Sequence, residues 1–388
     1  MKKLLFLSTT LLLLVLLTTC GEKESLFERE KAPVSQEEKY LFSLGDALSY
    51  AGKLQLHNEN LITKGEIKAV SQSISMSVGV GKPDFHIINY TNGGFVIVSA
   101  DKRIPPVIAY SDDSEFDFEG EFPPGLQMWM DNVSQNVKDK RAENAEPDAS
   151  TTAMWNAFTG NIVAAPPAPT YCTPVGATYT NYQTITYGPL LTTTWSQMTG
   201  YNEALTYMGC SVNGYPPVGC VPLAFAQLMR YYQKPSSYSW SSMGPGSSIL
   251  QNLLKDLGTY LGTYYDCDGS GTDTYYIQSV LPTHYGYSSC TSSGYNYNSL
   301  YNYISTNKPV LITGCGTGCH MWICDGLELI YDGTCITGNT IQTTLVSKRL
   351  HMNWGSEGGN YNGYYSENHF NPGPHAFNNS ISLYFVTK

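Results

Sequence analysis

Gly219-Cys220 opens the run Val221-Pro222-Leu223-Ala224-Phe225-Ala226-Gln227-Leu228-Met229-Arg230-Tyr231-Tyr232, which is apolar and helix-forming and has its only proline in what would be the first turn. Proline is tolerated there because the N–H it lacks has no partner in the first helical turn. The run therefore predicts a helix that starts at or beside Cys220. Unpaired N–H groups at such a start favour an anion, and thiolate is the form of cysteine that attacks acyl carbon. Taken alone, Cys220 also reads as a small buried side chain on a core helix or as half of a disulfide.

The first residues bear on that choice. Lys2 and Lys3 precede an apolar run over residues 4–17, then Thr18-Thr19-Cys20-Gly21 and a charged stretch, which is the pattern of an export signal over residues 1–20 and is too short for a stable membrane span. Leu17-Thr18-Thr19-Cys20 resembles a bacterial lipobox. That reading predicts a lipid on Cys20, the chain's one link to a membrane, and a place on the outer membrane or cell surface. Ordinary cleavage nearby would instead release a secreted chain. Beyond Cys20 lie Cys172, Cys210, Cys220, Cys267, Cys290, Cys315, Cys319, Cys324 and Cys335, an odd set in an oxidising setting. One thiol is left over, which fits one reactive cysteine and up to four disulfides.

A chain of 388 residues with 42% hydrophobic composition can bury a large core and is long enough for two domains. Its net charge of -10 and the lack of a dense Lys/Arg run argue against nucleic acid as a partner. Composition shifts partway along. Residues 25–141 hold most of the lysine, arginine and glutamate, whereas residues 171–388 are dense in Tyr, Gly, Ser, Thr and Cys. Residues 142–170, with Glu146-Pro147-Asp148 and Ala164-Ala165-Pro166-Pro167-Ala168-Pro169, read as an exposed linker open to cleavage.

Periodicity in the first domain predicts a helix over 37–54, strands over 84–88 and 94–100 around Thr91-Asn92-Gly93, a strand over 105–111 and a helix over 125–137, a small α+β unit. In the second, a helix over 249–261 follows the Cys220 helix, and strands over 308–312, 321–326, 345–354 and 361–366 come late. A helix carrying a cysteine against a late antiparallel sheet carrying a histidine is papain-like α+β architecture.

A cysteine nucleophile needs a base, an oxyanion donor and a group that orients the base. Outside the tail region around Asn371-Pro372-Gly373-Pro374, the histidines beyond Cys220 are His284, His320, His351 and His369. His320 is the best placed, between a Cys/Gly-rich loop and the apolar Met321-Trp322-Ile323-Cys324.

Gly219-Cys220-Val221-Pro222-Leu223-Ala224-Phe225-Ala226-Gln227, Cys319-His320-Met321-Trp322-Ile323-Cys324-Asp325-Gly326 and His351-Met352-Asn353-Trp354-Gly355 together resemble the streptopain family of secreted bacterial cysteine peptidases. Thr194-Trp195-Ser196-Gln197 is similar to that family's segment bearing the oxyanion glutamine. Gly93-Gly94-Phe95-Val96-Ile97-Val98-Ser99-Ala100-Asp101 and Pro105-Pro106-Val107-Ile108-Ala109-Tyr110-Ser111 are similar to its inhibitory prodomain. The resemblance implies an endopeptidase made as a zymogen, with protein or peptide substrates and its own prodomain as an internal inhibitor. It implies Cys220 as nucleophile, His320 as its proton partner in a thiolate-imidazolium pair, Gln197 as oxyanion donor, and Asn353 or Trp354 orienting or shielding His320. That chemistry calls for no cofactor and no metal. The chain departs from the family pattern at Pro222, Leu223, Ser356-Glu357 and Cys319, the last of which is placed to pair with Cys315 or Cys324. Two other readings stand beside this one: a zinc site built from Cys315, Cys319, His320 and Cys324, and an inactive relative serving as a surface binding or inhibitor protein.

Overall fold

The structure is a computed structural model that describes residues 36–52, 68–77, 79, 81–159, 175–176, 178–316, 318–337, 340–370 and 381–388. The export segment with Cys20, the proline-rich stretch 164–169 and Cys172 lie outside the described residues.

The chain begins with α1 (Gln36–Tyr40) and α2 (Leu44–Ala51). Ser43 caps α2: its hydroxyl accepts from the Asp46 N–H while the Asp46 carboxylate accepts from the Ser43 N–H, so two donors at the helix start are satisfied together. Four antiparallel strands follow, β1 (Val70–Met76), β2 (Phe85–Tyr90), β3 (Phe95–Ser99) and β4 (Val107–Ser111). The turn between β2 and β3 needs glycine. Gly94 has φ of +89°, and a Cβ there would stand 2.7 Å from the Ser111 carbonyl oxygen.

Next come α3 (Pro124–Ala142) and α4 (Ala149–Thr159). The second of these falls inside the stretch read as linker. Asp148 caps it by accepting from the Thr151 N–H at 2.6 Å, and Thr151, Trp155 and Phe158 form one buried face. Trp155 and Phe158 pack on Phe42, and the Trp155 indole donates to the Ile104 carbonyl at 2.8 Å. Flanking alanine and proline hid this i, i+4, i+7 stripe in the composition.

The second half contributes β5 (Thr178–Tyr187), α5 (Cys220–Tyr232), α6 (Ser248–Tyr260), α7 (Ile277–Tyr285), β6 (Ser289–Gly294), α8 (Tyr297–Ile304), β7 (Val310–Cys315), β8 (Cys319–Thr337), β9 (Thr340–Asn353), β10 (Gly363–Ser366) and β11 (Ser382–Thr387). The strands form an antiparallel sheet in the order β1-β2-β3-β4-β10-β9-β8-β7-β11-β6, with β5 paired to β8. The sheet runs unbroken through both halves, because β4 pairs with β10, Tyr110 opposite Tyr364 and Ala109 opposite Tyr365.

Alternation along β8 divides its side chains between two cores. Trp322 and Cys324 join Leu126, Met128 and Trp129 of α3, while Met321 and Ile323 join the apolar faces of α5, α6 and α7. Helix α3, from the first half, is thus built into the core of the second. The Trp129 indole donates to the Ser366 carbonyl and the Asn132 amide to the His369 carbonyl. Behind β4, the Tyr110 hydroxyl donates to Glu328, which also pairs with Arg349, and Arg349 donates to the Val107 carbonyl at 3.1 Å. The α+β class and the expected packing of the Cys220 helix on the sheet that carries His320 are both present.

Candidate active site

Helix α5 starts at Cys220 itself, after Gly219 at φ of +92°, a conformation that other residues adopt only with strain. Its first helical hydrogen bond runs from the Leu223 N–H to the Gly219 carbonyl. Because Pro222 has no N–H, the Cys220 and Val221 N–H groups are the donors left at this helix end. The loop over residues 261–276 borders the same point, with the Ser270 carbonyl and the Thr263 side chain each 3.5 Å from where a Gly219 Cβ would stand. A disulfide from Cys210 to Cys267 ties that loop down.

His320 is the second residue of β8, and β7–β8 pairing places it opposite Gly314. It is 6% exposed and hydrogen-bonded to the Cys220 thiol, while the Met321 N–H donates to Cys220 Sγ at 3.4 Å. The other ring nitrogen, Nε2, lies 3.0 Å from the Trp354 carbonyl oxygen. A carbonyl only accepts, so Nε2 carries hydrogen and Nδ1 faces the thiol. The Trp322 ring, two residues on and hence on the same face of β8, lies at 13° to the imidazole, and Trp354 packs against Trp322 at 5.2 Å.

Burial alone would raise the Cys220 pKa. The hydrogen bond from His320, the charge of His320 and the N–H groups of Met321 and Cys220 outweigh it, and the thiol sits below its ordinary value. Burial likewise acts to lower His320, but its hydrogen bond to Cys220, the thiolate charge and the Trp354 carbonyl hold it above its ordinary value. The shifts run in opposite senses and favour thiolate beside imidazolium.

Asn353 makes no hydrogen bond to the imidazole among the described residues. Its Nδ2 donates to the Thr193 carbonyl at 2.8 Å, and its Oδ1 accepts from Gln227 Nε2 and from the Gly355 N–H, each at 3.2 Å. The Trp354 N–H donates to Asn362 Oδ1 at 2.9 Å. The carbonyl that holds His320 is therefore fixed from both sides by side chains of the turn. Of the two residues named from sequence beside His320, Trp354 meets the ring through its backbone carbonyl, while Asn353 is hydrogen-bonded to Thr193, Gln227 and Gly355.

The segment that carries Gln197 is tied along its length. Asp325 is the extra residue of a β-bulge where β8 meets β9, and its carbonyl accepts from the Leu190 N–H while its carboxylate accepts from the Leu191 N–H. His351 Nδ1 lies 2.6 Å from the other carboxylate oxygen. The Thr193 carbonyl is taken by Asn353, and the Gln197 carbonyl accepts from the Val218 N–H at 3.0 Å, two residues before Cys220. Sequence reasoning missed Thr193, Gln227, Asp325, Asn362 and the Met321 N–H. Only Trp322 had a readable signal, its i+2 spacing from His320.

Cys315 and Cys319, directly opposed on β7 and β8, form a disulfide, while Cys220, Cys290 and Cys324 are free thiols. Two sulfurs of the zinc reading are thereby committed to each other. Cys335 is also disulfide-bonded.

Comparison with known families matches residues 43–137 to the Spi protease inhibitor family and residues 237–365, which contain His320, Asn353 and Trp354, to the Peptidase C10 family. The thiol protease/hemagglutinin PrtT of Porphyromonas gingivalis is 25% identical over 72% of this chain, which spans only 33% of that relative's length. Streptopain of Streptococcus pyogenes is 22% identical over 74% of this chain and 75% of its own. The solved prointerpain A fragment of Prevotella intermedia shares the fold, with a TM-score of 0.54 at 19% identity over 81% of this chain and 98% of its own. Residues 43–137 thus match an inhibitor-type prodomain and residues 237–365 a C10-type peptidase, and along most of its length the chain is similar in sequence to the thiol protease PrtT and to streptopain, with the fold of a prodomain-containing peptidase.

Proposed function

We propose that the protein is an exported cysteine endopeptidase made as a zymogen, acting on protein or peptide substrates. The observation that carries this reading is the pairing of Cys220, at the first turn of α5, with His320 on β8, the thiol lowered and the imidazole raised. The Cys220 thiolate attacks the scissile carbonyl, the Cys220 N–H and Gln197 donate to the developing oxyanion, and His320 protonates the leaving amine. Water then hydrolyses the thioester with His320 as base.

The prodomain covers residues 25–141 and continues through α4, whose Trp155 and Phe158 belong to its core. Activation cleavage falls between Thr159 and the peptidase domain that starts near residue 171. The lipobox at Cys20 supports an anchor on the outer membrane or cell surface. No specific observation favours the inactive relative, since both members of the dyad are present and hydrogen-bonded.

The test is hydrolysis of a broad peptide library by processed wild type and by Cys220→Ala. Wild-type cleavage that disappears in the variant supports the reading, and activity surviving in Cys220→Ala overturns it.

A further inference from the structure

A pocket lies beside Gln227, whose amide donates to Asn353 Oδ1. It has a volume of about 190 Å³ and is lined by Leu190, Leu191, Thr193, Gln227, Arg230 and Tyr231 among others. That is smaller than the roughly 300–1,000 Å³ of pockets for drug-sized ligands and suits a molecule of a few heavy atoms.

Its polar groups are specified by the hydrogen bonds behind them. The Thr193 carbonyl only accepts, so Asn353 must present Nδ2 to it and Oδ1 to the other side, where Gln227 Nε2 donates. Gln227 Oε1 is thereby left free. It has no partner among the described residues, nor has the Thr193 hydroxyl oxygen, although Gln227 is 1% exposed and Thr193 9%. A buried acceptor left in this state calls for a donor in the pocket.

Arg230 follows Gln227 by three residues on α5, which puts the two on one helix face about 5–6 Å apart at Cβ. Its guanidinium makes no ion pair or hydrogen bond among the described residues and calls for an acceptor. Asp325 accepts from the N–H of the lining residue Leu191, and its charge, after burial, contributes to raising the Tyr231 hydroxyl's pKa. A bare anion would feel that carboxylate. A ligand carrying a cation as well would not be penalised by it.

We infer that this pocket binds a small α-amino-acid zwitterion, its carboxylate on Arg230 and its ammonium on Gln227 Oε1 and the Thr193 hydroxyl. Leu190, Leu191 and Tyr231 supply apolar surface for a short side chain. The site stands on hydrogen-bond accounting alone and does not depend on the peptidase reading. If that reading also holds, the ligand is of the class that complete proteolysis releases, and it occupies the pocket whose Thr193 and Gln227 hold Asn353.

Calorimetric titration of the full chain carrying Cys220→Ala with L-alanine tests this, with acetate and L-alaninamide as probes that each lack one charge. Saturable binding of alanine, at least about tenfold tighter than either control, is expected, together with a rise in Tm. Arg230→Gln and, independently, Thr193→Val should each weaken it by about tenfold or more while the variants retain their far-UV spectrum. Absence of saturable heat would mean a pocket holding water only and would overturn the site. Acetate binding as tightly as alanine, or full affinity in both folded variants, would overturn the zwitterion assignment.

Discussion

His320 Nε2 is held by the backbone carbonyl of Trp354, 3.0 Å away, and not by a side chain. Substituting the orienting atom is therefore impossible, and the orientation can be reached only through what fixes the turn. Asn353→Ala removes its bonds to Thr193, Gln227 and Gly355 and leaves buried partners unsatisfied, at a cost of about 1–3 kcal/mol in stability. Displacement of the imidazole by about 1 Å can lower kcat by roughly 100-fold. Steady-state kinetics should show this loss in kcat more than in KM, while Trp354→Phe, which keeps the carbonyl, should retain much more activity.

The opposed shifts at the dyad set a pH window. The lowered thiol contributes stability above the ordinary thiol pKa and loses it as pH falls through the folded value. The raised imidazole contributes below its ordinary pKa and loses it as pH rises through the folded value. Thiol alkylation of the processed enzyme should thus begin well below the ordinary thiol range, and kcat/KM should follow a bell whose two limbs belong to the pair. In His320→Gln the alkylation midpoint should move up toward about 8.5. An unchanged midpoint would show that His320 does not set the thiolate.

At the prodomain boundary, His369 is buried and neutral, its pKa lowered to about 4 by burial. Its Nε2 accepts from the Asn136 amide of α3, and its Nδ1 bonds Ser366. Protonation would turn Nε2 into a donor facing a donor. A depressed histidine pKa opposes the folded assembly as pH falls from its ordinary value of about 6.5 toward 4, so zymogen stability should decline over that interval. Thermal melts of the Cys220→Ala proform should show this slope, and His369→Gln should flatten it.

Gly125 near the start of α3 allows the prodomain to lie flat on the tryptophans behind His320. A Cβ there would stand 2.7 Å from the Trp322 ring and 3.0 Å from Trp354. Gly125→Val should loosen the helix and raise thiol labelling of the intact proform, without changing the activity of the separately processed peptidase.

The two described disulfides should differ in purpose. By chain entropy, with sequence separations of 57 and 4, the Cys210–Cys267 bridge contributes about 4 kcal/mol and Cys315–Cys319 about 2 kcal/mol. Replacing both cysteines of the first pair by alanine should lower Tm more. Replacing the second, next to His320, should act more on kcat. A larger Tm loss for the short bridge would contradict this ranking.

Local signals in the sequence were enough to place α5, with its glycine, cysteine and first-turn proline, and the strand holding His320, because each depends on neighbouring residues. The cross-chain ties were not legible. Asp325 acts through a bulge that exists only once β8 pairs with β9, and Gln227 looks like a stray polar residue in an apolar helix until Asn353 is brought beside it. Helix α4 was hidden because its apolar face is short and lies between proline-containing stretches, so composition suggested linker where tertiary packing on Phe42 decided for helix.

The pairing of β4 with β10 means that activation does more than uncover a thiol. Once the prodomain departs, the hydrogen-bonding flank of β10 becomes the outer margin of the enzyme's sheet, a place where another extended chain could add itself. β10 spans only Gly363–Ser366, and just two of its residues are matched to β4. Such a short exposed margin gives little purchase for a foreign strand, so the brevity of β10 would limit edge-to-edge pairing of the mature enzyme.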